Sequence, residues 1–316
     1  MSIFVDTPFA TEIEADDHRG LLTVAQGWKV PYYRTVPLTG NKYVVHAIIG
    51  IHGNLRRPDQ TFTGLFDAAR AAHATRKVAI VTPFFQTHND EPAEDEARWT
   101  SAAWKEGGEA EGPYGLSSFA VMDGIFRSLA DKEKFPRLRS IALVGHSAGG
   151  QFTQRYAAAG EAPTELSGVR IRYVVANPSS YLYLSNLRPD LGDPTATAFD
   201  VPDSSCAEYD NYKYGLRNLD THYLRKVGAR EMRARYLSRK VTYLLGSADV
   251  ERDSELDTEP AAELQGAHRF DRGLRYTNYL RTYFPSAPHQ RLIVPGVAHE
   301  NAAMFGSRQA RSVLFA

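Results

Sequence analysis

The 316-residue sequence predicts an α/β fold, with a mainly parallel central sheet covered by helices on both faces. Three observations predict it. Short apolar, β-branched runs bounded by turn residues recur along the chain, apolar almost throughout, as strands buried on both faces must be. Helical patterns separate most of these runs. One run leads directly into Gly145-His146-Ser147-Ala148-Gly149, a Gly-x-Ser-x-Gly motif with a helical pattern on its far side.

The strand runs are residues 32–38, 43–51, 77–85, 140–144, 171–176, 241–245 and 291–294. The early runs sit close together and suit an antiparallel edge. Helical patterns cover 61–73, 117–130 and 151–159, the last running out at Gly160, with further helical stretches over 261–283 and 302–315. No internal repeat or low-complexity tract interrupts them.

Two intervals break the alternation. Residues 177–240 hold no core strand but carry Tyr181, Tyr183, Tyr209, Tyr212, Tyr214 and Tyr223, and Pro189, Gly192, Pro194 and Pro202 break the first part into loops. Inserted after a sheet strand, such a segment would lie over the edge where α/β sheets bind ligands. The expectation is a core of residues 1–176 and 241–316 with a cap at 177–240. In that cap Tyr181, Tyr183, Tyr212 and Tyr214 would contact substrate; the alternative is tyrosines that only pack on the scaffold. Residues 88–113 are acidic and carry Trp99, Trp104, Gly107 and Gly108. This stretch either lines the site or is a loop anchored by its tryptophans.

Composition excludes several classes. Lys plus Arg and Asp plus Glu both number 37, and no basic block stands out, so neither nucleic acid nor an anionic membrane is an expected partner. Arg56-Arg57 is the one local basic cluster near the candidate site, and it reads as a solvated loop. Cys206 is the only cysteine, which rules out an intrachain disulfide and a thiolate metal cluster. Residues 1–20 lack the basic region and apolar core of a secretory signal, and no apolar stretch is long enough to span a bilayer. The expected location is the cytoplasm.

Glycines flanking a serine allow a tight strand-to-helix bend that pushes the hydroxyl clear of the backbone, so Ser147 is the candidate nucleophile. A serine hydroxyl needs a base to take its proton, and the base works best when a carboxylate orients it. Gly246-Ser247-Ala248-Asp249 follows a strand run and puts Asp249 in the turn beyond it, either as that carboxylate or as an Asx turn or cap. Asp253 and Asp257 lie further out and read as surface loop residues. Pro295-Gly296-Val297-Ala298-His299 leaves the last strand run, and His299 is the candidate base. His146 neighbours the serine, with its side chain expected elsewhere on the bend; His289 precedes its strand, at the opposite end of the sheet.

The developing oxyanion needs donors. The N–H of Ala148 is the first, at the positive end of its helix. The second should come from Gly50-Ile51-His52-Gly53-Asn54-Leu55, with the N–H of Asn54 leading and that of Leu55 in reserve. His52, Gly53 and His146 are further candidates for substrate contact. No His-Glu-x-x-His or comparable spacing occurs, so no metal site and no cofactor is expected.

The strand with His52-Gly53, the motif around Ser147, Asp249 and His299 resemble the α/β-hydrolase superfamily in its chain order of Ser, acid, His. The resemblance runs from about Tyr32 to the C-terminus. Ala176-Asn177-Pro178-Ser179-Ser180-Tyr181, Leu256-Asp257-Thr258, Gln265-Gly266 and Arg272-Gly273 are also similar to a bacterial and fungal subgroup of it. The interval from acid to histidine is long for the superfamily. Together these residues lead to a cofactor-independent serine hydrolase acting on a small-molecule carboxylic ester. Amide, thioester or lactone hydrolysis and acyl transfer would use the same residues. A ligand-binding protein on the same fold is the alternative of another class. The oligomeric state is left open.

Overall fold

A computed structural model of the chain describes residues 18–315, apart from 25–26 and 113–114. The expectation for residues 1–17 lies outside the described residues. Eight strands form one sheet: β1 (Arg19–Thr23), β2 (Lys29–Arg34), β3 (His46–Ile51), β4 (Val78–Pro83), β5 (Ser140–His146), β6 (Arg170–Ala176), β9 (Val241–Gly246) and β10 (His289–Val294). Two further short strands, β7 (Arg188–Pro189) and β8 (Phe199–Asp200), pair only with each other. The order across the sheet is β1-β2-β4-β3-β5-β6-β9-β10. From β4 to β10 every pairing is parallel, whereas β1 and β2 form the antiparallel edge. The edge strand β1 was not legible as a core strand, because its side chains alternate between exposed and half-buried.

The helices are α1 (Pro58–Ala71), α2 (Ala103–Glu106), α3 (Ser118–Ala130), α4 (Ala148–Ala159), α5 (Ala162–Glu165), α6 (His222–Val227), α7 (Ala229–Ser238), α8 (Pro260–Glu263), α9 (Arg269–Tyr283), α10 (Asn301–Gly306) and α11 (Arg308–Leu314). Period-two alternation along the strands divides the core in two. Ile48, Ile80, Val144, Val174 and Leu244 face α1, α10 and α11 through Phe62, Leu65, Phe66, Met304, Phe305 and Leu314. Ile49, Val81, Leu143, Val175 and Tyr243 face α3, α4, α7 and α9 through Phe119, Phe126, Phe152, Tyr236 and Tyr276.

Local sequence sets the helix boundaries. Pro58 stands in the first turn of α1 with Asp59 beside it, and Arg70 closes the last turn, matching both ends of the helix dipole. Ser117 caps α3 by accepting from Phe119 N at 3.1 Å, and Ser307 caps α11 by accepting from Ala310 N at 3.0 Å.

Much of the interval 177–240, expected as a cap, packs on the core. Its second half forms α6 and α7, and Met232 and Tyr236 of α7 join the main core on the α4 face of the sheet. Tyr223 donates its hydroxyl to Asp123 on α3 at 2.6 Å. In the first half, Tyr181 and Tyr183 are buried against Tyr276 of α9, with ring centroids 4.5 and 5.0 Å away. These tyrosines are packing residues. Residues 177–221 run as loops with the short pair β7 and β8, and α6 and α7 then lead back into β9.

Candidate active site

Ser147 sits between the C-terminal end of β5 and the start of α4, with φ 59° and ψ −125°, a left-handed conformation that costs a non-glycine residue about 1–3 kcal/mol. The surrounding chain holds it there. Ser147 N donates to Ala176 O at 3.0 Å, and its carbonyl accepts from Gln151 N at 3.0 Å. Both motif glycines are required by close approach. A Cβ on Gly145 would lie 2.1 Å from Gly149 O, and one on Gly149 would lie 2.2 Å from Ile51 O. The bend therefore packs directly on its own helix and on the end of β3.

Asp249 and His299 meet through the loops that leave β9 and β10. Ser247 N donates to Val294 O and Ala248 N to Val297 O, both at 3.0 Å, lacing the two exit loops together. His299 Nδ1 then lies 2.7 Å from Asp249 Oδ2. Asp249 is 1% exposed and the His299 side chain 20% exposed, so the carboxylate is shielded and the imidazole is reachable. Against this acceptor Nδ1 carries the proton, which leaves Nε2 of the neutral ring as the proton-accepting nitrogen. On the other side of Asp249, Oδ1 is 3.7 Å from Nη1 of the fully buried Arg269, which also grips Asp253 with two bonds at 2.8 and 2.7 Å. Asp253 is therefore no idle surface residue.

A pocket of about 220 Å³ opens here, bordered by Gly53, Asn54, Leu55, His146, Ser147 and His299. Arg56, Arg57, Gln60, Thr61, Glu255 and Asn301 complete its wall. Gly53 lies beside the serine: a Cβ on it would be 3.9 Å from Ser147 Cβ. The turn from Gly53 to Arg56 is closed by Arg56 N donating to Gly53 O at 3.0 Å. Among the described residues, the N–H groups of Asn54, Leu55 and Ala148 have no protein acceptor. The Asn54 side chain is fixed from both ends, donating to Glu255 Oε2 at 2.7 Å and accepting from Lys105 Nζ at 3.3 Å. Burial, with Arg155 and Lys213 nearby, lowers the Lys105 ammonium below its ordinary value.

The two elbow-side histidines differ. His52 is fully buried and does not border the pocket. Its Nε2 accepts from Phe85 N at 3.1 Å, so its Nδ1–H donates to Gly53 O at 3.0 Å. His52 thus ties the exit of β3 to the exit of β4, and burial pushes its pKa down to about 4. The substrate contact expected for it gives way to this structural role. His146, expected to point elsewhere, borders the pocket with its ring 4.5 Å from that of His299. Burial, and then the His299 and Arg269 charges, hold His146 well below the ordinary histidine range.

Tyr212 and Tyr214 stand behind the rim and do not border the pocket. The Tyr212 hydroxyl donates to Glu106 O at 2.7 Å, and that of Tyr214 to Asp257 at 3.1 Å. Lys213 lies 3.6 Å from both Glu106 and Asp257. Asp257, read from sequence as a surface residue, is a half-buried junction that also accepts from Ser180 Oγ at 3.0 Å. Gln60, Glu255, Asn301 and Arg269 escaped the sequence reading, because none carries a motif and each reaches the site from a distant segment.

His146, Asp249 and His299 are grouped with donor atoms within 4.8 Å of one another, a spacing open to a metal ion. The short Nδ1–Oδ2 contact uses one carboxylate oxygen and one ring nitrogen for a shared proton, which suits proton transfer better than ligation. No helix among the described residues is long and apolar enough to cross a membrane.

No family model matches the sequence. No curated protein matches it either. Solved structures do. Poly(aspartic acid) hydrolase-1 from Sphingomonas sp. KT-1 superposes with a TM-score of 0.64 at 22% identity, over 94% of this chain and 98% of that one. The chain has the α/β-hydrolase fold. A second α/β-hydrolase neighbour is LpqC, a poly(3-hydroxybutyrate) depolymerase from Bordetella parapertussis, with a TM-score of 0.62 at 20% identity over 90% of this chain and 86% of that one. An IroE-like serine hydrolase from Shewanella oneidensis reaches 0.50 at 11% identity, over 94% and 79%. Ser147, Asp249 and His299 all stand beyond the C-terminal ends of their strands, after β5, β9 and β10.

Proposed function

We propose that the protein is a serine hydrolase that cleaves a carboxylic ester through an acyl-enzyme. The observation that carries this reading is the 2.7 Å contact from the reachable imidazole of His299 to the buried Asp249, in the wall of the same pocket as Ser147. Ser147 Oγ attacks the carbonyl carbon while His299 Nε2 takes its proton. Asp249 holds the ring in the required tautomer and stabilises the imidazolium. The N–H groups of Ala148 and Asn54 receive the oxyanion, each worth about 3 kcal/mol of barrier. The imidazolium protonates the departing alcohol, and a water activated by the same ring releases the acid and regenerates Ser147. The hydrolases and depolymerase that share the fold support hydrolysis as the reaction class.

The test is labelling with a fluorophosphonate, followed by a panel of p-nitrophenyl esters and anilides. Wild type should label and turn over at least one ester, whereas Ser147→Ala should neither label nor retain more than a residual rate, several orders of magnitude down. Equal labelling of both proteins would remove Ser147 from the chemistry.

A further inference from the structure

We propose that the substrate carries an anionic group close to the scissile carbonyl and that Arg57 receives it. This inference rests on the hydrolase reading of the same pocket. Of the charged side chains that border the pocket, only Arg57 makes neither an ion pair nor a hydrogen bond among the described residues. Arg56 Nε lies 2.7 Å from Asp90 Oδ2, and its Nη1 donates to Asn54 O at 3.2 Å. Glu255, which also borders the pocket, and Lys105 have no ion pair among the described residues and are held by the two ends of the neutral Asn54 amide. Arg269 offsets Asp253 through its two-bond grip, and the charge of Asp249 is directed at the imidazole of His299. Arg57 is exposed and makes no such contact. Among the described residues its guanidinium has neither an ion pair nor a hydrogen-bond acceptor, although Asp59 is only two residues away.

Arg57 stands at the N-cap of the 14-residue α1, in the wall of the pocket that holds Ser147. Its backbone is occupied, with its carbonyl accepting from Thr61 N at 3.2 Å, so the main chain is anchored while the guanidinium is free. A guanidinium offers a planar fork of donors that fits a carboxylate or phosphate. The neighbouring wall supplies neutral hydrogen-bonding groups from Gln60 and Asn301. Leu55, the one large aliphatic side chain in the wall, is 70% exposed. A short acid would meet a cation and the amides of Gln60 and Asn301 there.

The inference is tested with ester pairs that differ in charge. p-Nitrophenyl hemisuccinate is compared with p-nitrophenyl butyrate, and 4-carboxyphenyl butyrate with its methyl ester, so that the charge lies first on the acyl and then on the leaving side. The wild type should favour the charged member of at least one pair by about tenfold in kcat/KM, the size of one partly exposed charge-assisted contact. Arg57→Gln should bring that ratio close to one, and raising the ionic strength should shrink it in the wild type. Should neither pair turn over, monomethyl succinate should slow fluorophosphonate labelling of Ser147 more than dimethyl succinate does. Ratios near one in both pairs, or equal protection by the two succinates, overturn the anionic substrate while leaving the hydrolase reading intact. A folded wild type that does not label at all overturns the hydrolase reading, and this inference with it.

Discussion

Arg269 Nη1 lies 3.7 Å from Asp249 Oδ1, with both side chains fully buried, and the same guanidinium holds Asp253 by a two-bond fork. One cation thus faces two carboxylates, of which only Asp253 reaches solvent. Arg269→Met should leave Asp249 as a buried charge without its cation, costing about 3–5 kcal/mol, and should lower kcat together with stability. Urea denaturation and steady-state kinetics on the same variant check both effects. The fork from Arg269 holds the Asp253 carboxyl below its ordinary range. Its contribution to stability is therefore present above the unfolded value near ~3.9 and is lost as pH falls through the lower folded value. Asp253→Asn should remove that acid-side step, and an acid-unfolding curve identical to that of the wild type would contradict the assignment.

His52 makes the fold sensitive to mild acid. Its folded pKa of about 4 lies below the unfolded value near ~6.5, so between these two values the unfolded chain binds the extra proton. Stability is full above about pH 6.5 and falls as pH drops toward 4, by about 3 kcal/mol for this one group. Burial lowers His289 and His146 in the same direction. Urea midpoints at neutral pH and near pH 5 should differ clearly in the wild type and less in His52→Gln. A wild-type midpoint flat across that window would contradict a neutral, buried His52.

The buried tyrosines pack within the scaffold, so replacing them should change stability and not selectivity. Tyr181→Ala removes a ring stacked 4.5 Å from Tyr276 and should cost about 3–5 kcal/mol, with the order of preference across an ester panel unchanged in the folded fraction. Tyr214→Phe loses only the hydroxyl bonds to Asp257 and should cost about 1 kcal/mol. A reordered ester panel in Tyr181→Ala would place that ring at the substrate after all.

Two glycines give opposite outcomes on substitution. Gly145→Ala sets a methyl 2.1 Å from a backbone oxygen, so the bend must shift, and fluorophosphonate labelling should fail even with Ser147 present. Gly124 lies in α3 with nothing near the place of its missing Cβ, and Gly124→Ala should raise stability by about 0.5–1 kcal/mol with labelling unchanged. Thermal melts and labelling on both variants decide it.

Much of this molecule was legible along the chain. The seven strand runs, the helices between them and the bend at Ser147 all follow from side-chain period, glycine placement and β-branched runs, and these act within a few residues. Asp249 and His299 were legible as loop residues beyond strand ends, since the parallel sheet directs every such exit to one edge. The two readings of the tyrosines between Asn177 and Lys240 stayed open in the sequence, because an aromatic that packs on the scaffold and an aromatic on a cap have the same composition and differ only in what packs against them.

The sequence by itself determined the order of elements, the tight turn that lifts Ser147, and the positions from which an acid and a base could reach it. The tertiary structure alone decided that Asp249 and His299, 50 residues apart, are hydrogen-bonded, that Arg269 stands buried against Asp249, and that Arg57, without a partner among the described residues, borders the same pocket as Ser147. Turn and strand chemistry is local. The pairing of charges and the burial of rings depend on which distant segments are packed together, and the chain acquires those neighbours only when the sheet has closed around its two cores.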